Sequence, residues 1–339
     1  MNYMLRDRAV IDQFVLSSKG VGSIQRQIYV PQMKRTVLAI PPRLEQDQIA
    51  RFLSWKTSEM MHFIKEKMIE IIRLRELKKA LIDRTVLRGI ENDVQIKNTG
   101  IEWIQHIPVH WKLRKVRELF IERREKVSDK EYIPLSVCKA GIVPRLESAV
   151  QTDNGDNRKL VITGDFVINS RSDRKGSSGI SPLNGSVSLI NIVLKPITNE
   201  NPQYLHYLLR STSFTEEFYR NGRGLVSDLW TTRYSELKNI FLPMPPQSEQ
   251  VQIVAYLRKK SEEIDNLVVG IQKEISFVQE LKIRTISDVV NGKIDVRDVI
   301  IPSFKDETEA LVDNEDIVEE FYEDSNEVID VEEYEEAIE

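Results

Sequence analysis

The sequence Pro41-Pro42-Arg43-Leu44-Glu45-Gln46-Asp47-Gln48-Ile49 returns 204 residues later as Pro245-Pro246-Gln247-Ser248-Glu249-Gln250-Val251-Gln252-Ile253. Each double proline suits the end of an extended segment and the first turn of a helix, because proline restricts the residue before it and lacks an N–H. Neither proline nor glycine occurs from Arg43 to Arg88, and only Gly270 interrupts the second copy before Gly292. The pattern predicts two helices of about 43 residues, each about 65 Å long at ~1.5 Å rise per residue.

Both predicted helices carry an apolar stripe with coiled-coil spacing. The residues that we expect to pair the helices are Leu53, Met60, Ile64 and Ile71 in the first, and Leu257, Ile264, Val268, Ile271, Ile275 and Val278 in the second. One stripe on each helix predicts a partner for each, and the other helix is the simplest partner. The alternative is that each helix lies separately on a globular domain.

The repeat is longer than the helices themselves. Residues from Tyr3 to Ile82 match those 204 positions later without a gap, for example Tyr3 with Tyr207 and Phe14 with Phe218. The chain therefore holds about one and a half copies of a unit made of a globular module and a long helix. We expect it to begin late in the first module, so that residues 1–42 are the end of a domain.

Composition limits the class of protein. The 339 residues are 41% hydrophobic, which is enough for one sizeable core plus elongated parts. The single Cys138 excludes an internal disulfide and a metal site built from cysteines. No secretory signal and no apolar run of the ~20 residues that span a bilayer is visible, so we expect a soluble, cytoplasmic protein.

The net charge of −5 hides a strong division along the chain. Residues 303–339 hold 17 acids and one base, whereas the remaining residues carry a net charge of +11. A basic body is expected where the partner is nucleic acid. The acidic segment has few large apolar residues, so we expect it to be disordered.

A change of pattern after Tyr132 predicts a β-rich module. Strands are predicted at residues 132–137, 160–162, 166–168 and 187–194, with a loop of small, basic and hydroxyl residues before Gly179. Small residues let the backbone approach a ligand, and the bases and hydroxyls supply donors for phosphates and base edges. The candidate DNA contacts in this loop, in the later segment Asn221–Trp230 and ahead of Gly141 are Lys139, Ser170, Arg171, Arg174, Lys175, Ser177, Arg223 and Trp230. An ordinary hairpin loop is the alternative.

Two further segments precede this module. Trp103 and Trp111 stand on either side of Pro108 and predict packing where the chain joins the next domain; base stacking by Trp111 is the alternative. The basic stretch from Lys112 to Lys130 is predicted to be mostly helical, with its cations either solvated or in contact with phosphate.

Enzymatic interpretations do not hold. Asn201-Pro202-Gln203-Tyr204 is similar to the Asn-Pro-Pro-Tyr tetrad of amino-methyltransferases, but it lacks the second proline and no glycine-rich cofactor loop precedes it. The 204-residue repeat instead places it just ahead of the short helix predicted at the beginning of the chain. The four histidines are scattered, no Walker-type phosphate loop occurs and no carboxylate completes a metal site. We therefore predict neither catalytic nor metal-binding residues.

Three sets of motifs occur together in this chain: the two Pro-Pro-x-x-Glu-Gln-x-x-Ile helix starts, Gly100-Ile101-Glu102-Trp103 with Ile107-Pro108 and Trp111, and Gly164-Asp165-Phe166-Val167-Ile168-Asn169-Ser170. With these motifs the chain resembles the specificity subunit of type I restriction-modification enzymes. The ends of the helices, Glu76-Leu77-Lys78 and Glu280-Leu281-Lys282, also fit. Together these motifs cover nearly everything before about Val299.

This resemblance implies an α+β, dumbbell-like fold, with mixed α/β target-recognition domains held apart by two antiparallel coiled-coil helices. Such subunits have no catalysis and no cofactor of their own. They bind double-stranded DNA, two modification subunits that use S-adenosylmethionine to methylate adenine, and a restriction subunit, in a defence system. A full-length member begins a hundred or more residues earlier, so a complete two-part recognition by one chain is not expected. A second copy or a separately encoded fragment is the implied substitute.

The expected domains follow from this organisation. They are the end of a first recognition domain (1–42), the first long helix with its connector (43–97), a complete recognition domain (98–244), the second long helix (245–299) and the acidic tail (300–339). A coiled-coil adaptor, a silent remnant of a specificity subunit and a DNA-mimicking inhibitor remain as alternatives. The basic loops oppose the adaptor and the +11 body opposes the inhibitor.

Overall fold

The structure is a computed structural model that describes residues 2–5, 8–21, 25–38, 40–91, 93–145, 155–224 and 230–304. These residues fall into two compact units, one within Met1–Arg73 and Asn266–Tyr322 and the other within Leu74–Asp265. The acidic segment, and with it the expectation of disorder, lies outside the described residues from position 305 onward.

The described part of the chain contains both α-helices and β-strands, with most strands between the two long helices. The helices are α1 Asn2–Leu5, α2 Arg8–Ser17, α3 Val30–Met33, α4 Arg43–Arg88, α5 Val116–Leu119, α6 Pro202–Arg210, α7 Thr212–Arg220, α8 Tyr234–Leu237 and α9 Gln247–Val290. The strands are β1 Lys19–Val21, β2 Gln25–Gln27, β3 Ile96–Asn98, β4 His106–Pro108, β5 Lys112–Lys115, β6 Phe120–Glu122, β7 Lys126–Val127, β8 Leu135–Cys138, β9 Gly141–Pro144, β10 Arg158–Val161, β11 Phe166–Asn169, β12 Ser178–Ile180, β13 Gly185–Val187, β14 Asn191–Pro196 and β15 Phe241–Met244.

The two predicted long helices are confirmed as α4, of 46 residues, and α9, of 44 residues. Both helices begin directly after their double proline, and a glutamine at the equivalent position of each copy stabilises the first turn. Gln46 Nε2 donates to the Pro41 carbonyl at 2.9 Å, and Gln250 Nε2 donates to the Pro245 carbonyl at 3.0 Å. The repeated sequence thus folds twice into the same local structure.

Contacts within each unit show that α4 and α9 run antiparallel. In the first unit Lys67 Nζ lies 3.2 Å from Glu274 Oε2, and Lys282 Nζ lies 3.1 Å from Met61 Sδ. Later residues of α4 therefore meet earlier residues of α9. In the second unit Lys78 Nζ lies 2.7 Å from Asp265 Oδ2.

The apolar stripes point inward along most of both helices. Met60 and Val278 are half-buried. The other eight stripe residues are buried, namely Leu53, Ile64, Ile71, Leu257, Ile264, Val268, Ile271 and Ile275. At the α4 start, Phe52 and Leu53 form a small core with Val289 and Val296, onto which Val299 and Ile301 pack.

The second unit is built around a four-stranded antiparallel sheet in the order β12-β11-β14-β6. Because side chains alternate along a strand, its two central strands supply two different cores. Phe166, Ile168, Ile192 and Leu194 join the core shared with α6 and α7, whereas Val167 and Val193 join the core shared with β8, β9, β10 and β13. A three-stranded sheet, β13-β10-β7, borders the second core.

Burial also shifts the pKa values of two titratable groups in this unit. Burial lowers the pKa of His206 to about 4, so its ring is neutral at pH 7, and its Nδ1 faces the Ile180 N–H at 3.4 Å. Burial raises the pKa of the Asp83 carboxyl, whose Oδ1 accepts from the Ser213 N–H.

The prediction of a mostly helical stretch from Lys112 to Lys130 is wrong. The segment forms strands β5, β6 and β7, with the single turn α5 between the first two. Strand β5 pairs with β15, and β6 pairs with β14. Lysine, arginine and glutamate favour helices only weakly, and these pairings override that preference.

The tryptophan segment packs as predicted, and base stacking by Trp111 is excluded in this structure because Trp111 is only 1% exposed. Its Nε1 donates to both carboxylate oxygens of Glu249 at 3.0 Å, and His110 Nε2 lies 2.8 Å from Oε2 of the same group. Trp103 packs edge-on against Phe214.

Asn201 begins α6, and its carboxamide oxygen accepts from the Gln203 and Tyr204 N–H groups, which confirms the tetrad as a helix start.

Candidate nucleic-acid interface

The loop between β11 and β12 holds most of the predicted DNA contacts. We call residues Ser170–Ser177 the recognition loop. The Tyr219 hydroxyl donates to the Asn169 carbonyl at 2.9 Å and to the Arg174 carbonyl at 3.2 Å, which ties both sides of the loop to α7. Burial raises the pKa of Tyr219, so this hydroxyl stays protonated and keeps its role as a donor.

The structure brings the three predicted segments together. Thr231 forms β-bridges with both Arg171 and Arg223, and the Ser172 N–H donates to the Trp230 carbonyl at 3.0 Å. Lys139 adjoins the loop at Gly176, where an added Cβ would lie 3.9 Å from Lys139 Cγ. The segments were selected separately from the sequence and are neighbours here, although residues 225–229 of one lie outside the described residues.

Arg174 and Lys175 of the recognition loop are exposed and Arg171 is half-buried, and two of these three cations pair with nearby acids. Arg171 Nε lies 2.9 Å from Asp173 Oδ1, and Lys175 Nζ bonds Glu216 Oε1. Arg174 and Lys139 are exposed, and 37% of the Trp230 surface is exposed to solvent. Arg223 lies 4.0 Å from Glu236 and is almost fully solvated. Exposed ion pairs of this kind contribute little to stability, so a phosphate can replace the acid at small cost.

Two of the predicted contacts need correction. Ser170 and Ser177 are 3% and 6% exposed, so neither side chain faces solvent. The Ser170 hydroxyl donates to the Ile190 carbonyl at 2.5 Å. The Ser170 hydroxyl is therefore used by the nearby backbone and is not offered as a donor to a base edge.

A groove of about 550 Å³ opens beside the recognition loop. It contains five cationic side chains and one acidic side chain, and we call it the basic groove. Its lining residues are Glu122, Arg124, Lys126, Lys159, Ser170, Arg171, Leu189, Ile190, Ile192, Thr231, Thr232, Arg233, Tyr234 and Ser235. A concave surface with a large excess of positive charge concentrates polyanions such as the DNA backbone.

The cations of the basic groove have different roles. Glu122 accepts from Arg124 at 2.7 Å and lies 3.4 Å from Lys159, and its hydrogen bond raises the pKa of Arg124. Lys159 is largely buried and donates to the Asn191 carbonyl at 2.8 Å, so it supports the groove wall. Lys126 and Arg233 are exposed and form no ion pair within the described part of the chain.

Sequence analysis missed Arg233 and Lys159 and assigned Lys126 to a helix. These residues are far apart along the chain and have no periodic pattern in common. Lys159 lies opposite Lys126 because β10 pairs with β7. Arg233 joins them because Thr231, two residues earlier in the chain, forms a β-bridge with Arg171. This β-bridge is what places Arg233 at the groove, and it cannot be read from the sequence.

The described residues meet neither the requirement of a metal site nor that of a membrane-spanning helix. Over that part of the chain no three His, Cys, Asp or Glu side chains are grouped as a metal site would require. Among the described helices, none is both long and apolar enough to cross a membrane.

Comparison with known proteins supports the fold. No protein-family model matches the chain. A solved structure described as "Structural basis underlying complex assembly and conformational transition of the type I R-M system" contains a chain with a TM-score of 0.62 at 16% identity, covering 86% of this chain and 70% of its own length. This chain therefore has the fold of a chain from a type I R-M system.

Two further solved structures are more distant. The HsdS subunit from Thermoanaerobacter tengcongensis gives a TM-score of 0.49 at 18% identity, covering 88% of this chain and 69% of that one. The type I restriction-modification system S subunit from M. genitalium gives 0.38 at 14% identity, covering 89% and 72%.

Proposed function

We propose that this chain is a DNA-binding specificity subunit of a type I restriction-modification system, and that it recognises one half-site of a DNA target. The observation that carries the proposal is the meeting of the basic groove with the recognition loop on one face of the second unit. The groove supplies sequence-independent attraction for phosphates, and the loop supplies donors for base edges. The fold shared with a chain of a type I R-M system supports the same assignment.

The proposed partners follow from the same assignment. The chain would bind modification subunits, which use S-adenosylmethionine to methylate adenine, and a restriction subunit would join them. It would hold no cofactor and perform no catalysis itself, and it would act in the cytoplasm. A second copy of the chain or a separately encoded fragment is proposed to read the other half-site.

The recognition loop is tested by alanine at Arg171, Arg174 and Lys175, one at a time. An arginine that binds guanine through two hydrogen bonds is worth roughly 1–3 kcal/mol of base discrimination, whereas a phosphate contact weakens all sequences alike. Each substitution should therefore either relax one base position or make binding less dependent on salt. Gel-shift titrations of duplex DNA at several salt concentrations measure both effects.

The titrations are run with and without a modification subunit. Binding that is unaltered by all three substitutions contradicts the assignment of the loop. A chain that binds the modification subunit but no duplex is an adaptor, and the proposed function then fails.

A further inference from the structure

The turn between β13 and β14 has an unusual composition. Its tip is formed by Leu189 and Ile190, which are 39% and 44% exposed. Turn positions normally hold Gly, Asn, Asp or Ser, because these residues adopt turn geometry or hydrogen-bond the local backbone. Two adjacent branched apolar residues gain nothing from a solvated tip, so their presence needs another reason.

The turn is also fixed firmly from behind. The buried Ser170 hydroxyl donates to the Ile190 carbonyl, and Lys159 Nζ donates to the Asn191 carbonyl at 2.8 Å. The Asn191 N–H closes the turn on the Ser188 carbonyl at 3.0 Å. Polar groups therefore hold the backbone in place, and the two apolar side chains are left to face outward.

The surroundings of the tip select the ligand. Leu189 and Ile190 form part of the wall of the basic groove, together with Arg124, Arg171 and Arg233. A ligand that suits this wall is an anionic polymer with an apolar group within reach of its charged backbone. Duplex DNA fits this description, because the C5-methyl group of thymine lies on the base edge in the major groove. A membrane surface fits poorly, because the cations line a concavity.

We propose that Leu189 and Ile190 contact a thymine methyl group in the half-site and thereby determine the base at that position. The proposal rests on the function proposed above and adds a specificity element that is separate from the donors of the recognition loop. It also gives a role to the buried Ser170 and to Lys159, since both position the turn.

The test compares thymine with uracil, which lacks only this methyl group. Two pools of random duplexes are prepared, one with thymidine and one with deoxyuridine, and the complete chain selects binders from each. The wild type should select a motif with a defined thymine in the first pool and lose that preference in the second. For a single selected duplex, replacing this thymine by uracil should weaken binding about fourfold, the cost of one buried methyl group at ~0.8 kcal/mol.

The variant Leu189→Ala/Ile190→Ala should bind thymine and uracil duplexes equally. Both residues are exposed, so the variant is expected to fold, and its melting curve checks this. Ile197→Ala is the matched control, because Ile197 is 53% exposed but does not line the groove; it should keep the wild-type preference.

Wild-type selection of the same motif from both pools overturns the proposal, as does a double variant that still distinguishes thymine from uracil. A wild type that selects nothing from either pool contradicts the proposed function itself.

Discussion

Replacing Lys126 and Arg233 together by glutamine is expected to weaken DNA binding by on the order of 50-fold at 0.1 M salt. Both side chains line the basic groove, are exposed and lack ion pairs within the described part of the chain. Each contact with a phosphate releases about 0.9 counterions from duplex DNA, which corresponds to a little under tenfold in affinity at this salt concentration. The loss should be similar for all DNA sequences.

Fluorescence anisotropy with labelled duplex at 0.05–0.3 M salt measures this effect. The slope of log affinity against log salt should decrease by about two for the double variant. Lys195→Gln/Lys259→Gln is the matched control, since it removes the same charge from exposed positions that do not line the groove. Equal losses of DNA affinity in both double variants would mean that the loss follows from the total charge of the chain and that the groove has no special role.

Glu249→Ala is expected to lower the free energy of unfolding by about 2–3 kcal/mol more than Glu45→Ala. The two glutamates stand at the same third position of α9 and α4, 204 residues apart, so both lose the same favourable interaction with the helix dipole. Only Glu249 accepts the buried Trp111 indole N–H and contacts His110. A buried donor that loses its partner costs about 1–3 kcal/mol, and bonds to a charged group lie at the upper end.

Urea unfolding followed by tryptophan fluorescence and by circular dichroism measures the difference. Trp111→Phe removes the indole donor but leaves the His110 contact, so in this background the added cost of Glu249→Ala should fall most of the way towards that of Glu45→Ala. The wild type, Trp111→Phe, Glu249→Ala and the double variant form a double-mutant cycle that isolates the contact. Equal costs at Glu45 and Glu249 in the wild-type background would contradict the role assigned to the Trp111 contact.

The parts of the fold that depend on local pattern were predictable. The double prolines, the uninterrupted stretches behind them and the apolar stripes determine helices at their own positions, and α4 and α9 begin directly after the prolines. The central strand β11 covers the predicted run 166–168 and extends to Asn169, and β14 begins inside the predicted run 187–194 and extends to Pro196. However, the predicted strand 187–194 divides into β13 and β14, because the polar Ser188 precedes the turn.

The parts that depend on distant pairing were not predictable. The basic stretch after Lys112 has the composition of a helix but is extended, because β15 and β14 are available as partners. Residues of the recognition loop were found by composition, yet composition does not separate exposed Arg174 from buried Ser177. The basic groove was not visible in the sequence, since Lys126, Lys159 and Arg233 meet only after the strands pair.

The central claim is that this chain chooses the DNA sequence at which a partner methylates adenine. Mapping methyladenine across a host genome, after expressing the chain with a modification subunit that co-purifies with it, tests this claim most directly. We predict an interrupted motif that appears only with the chain and is lost with Lys126→Gln/Arg233→Gln. A complex that forms but adds no chain-dependent methylation would contradict the claim.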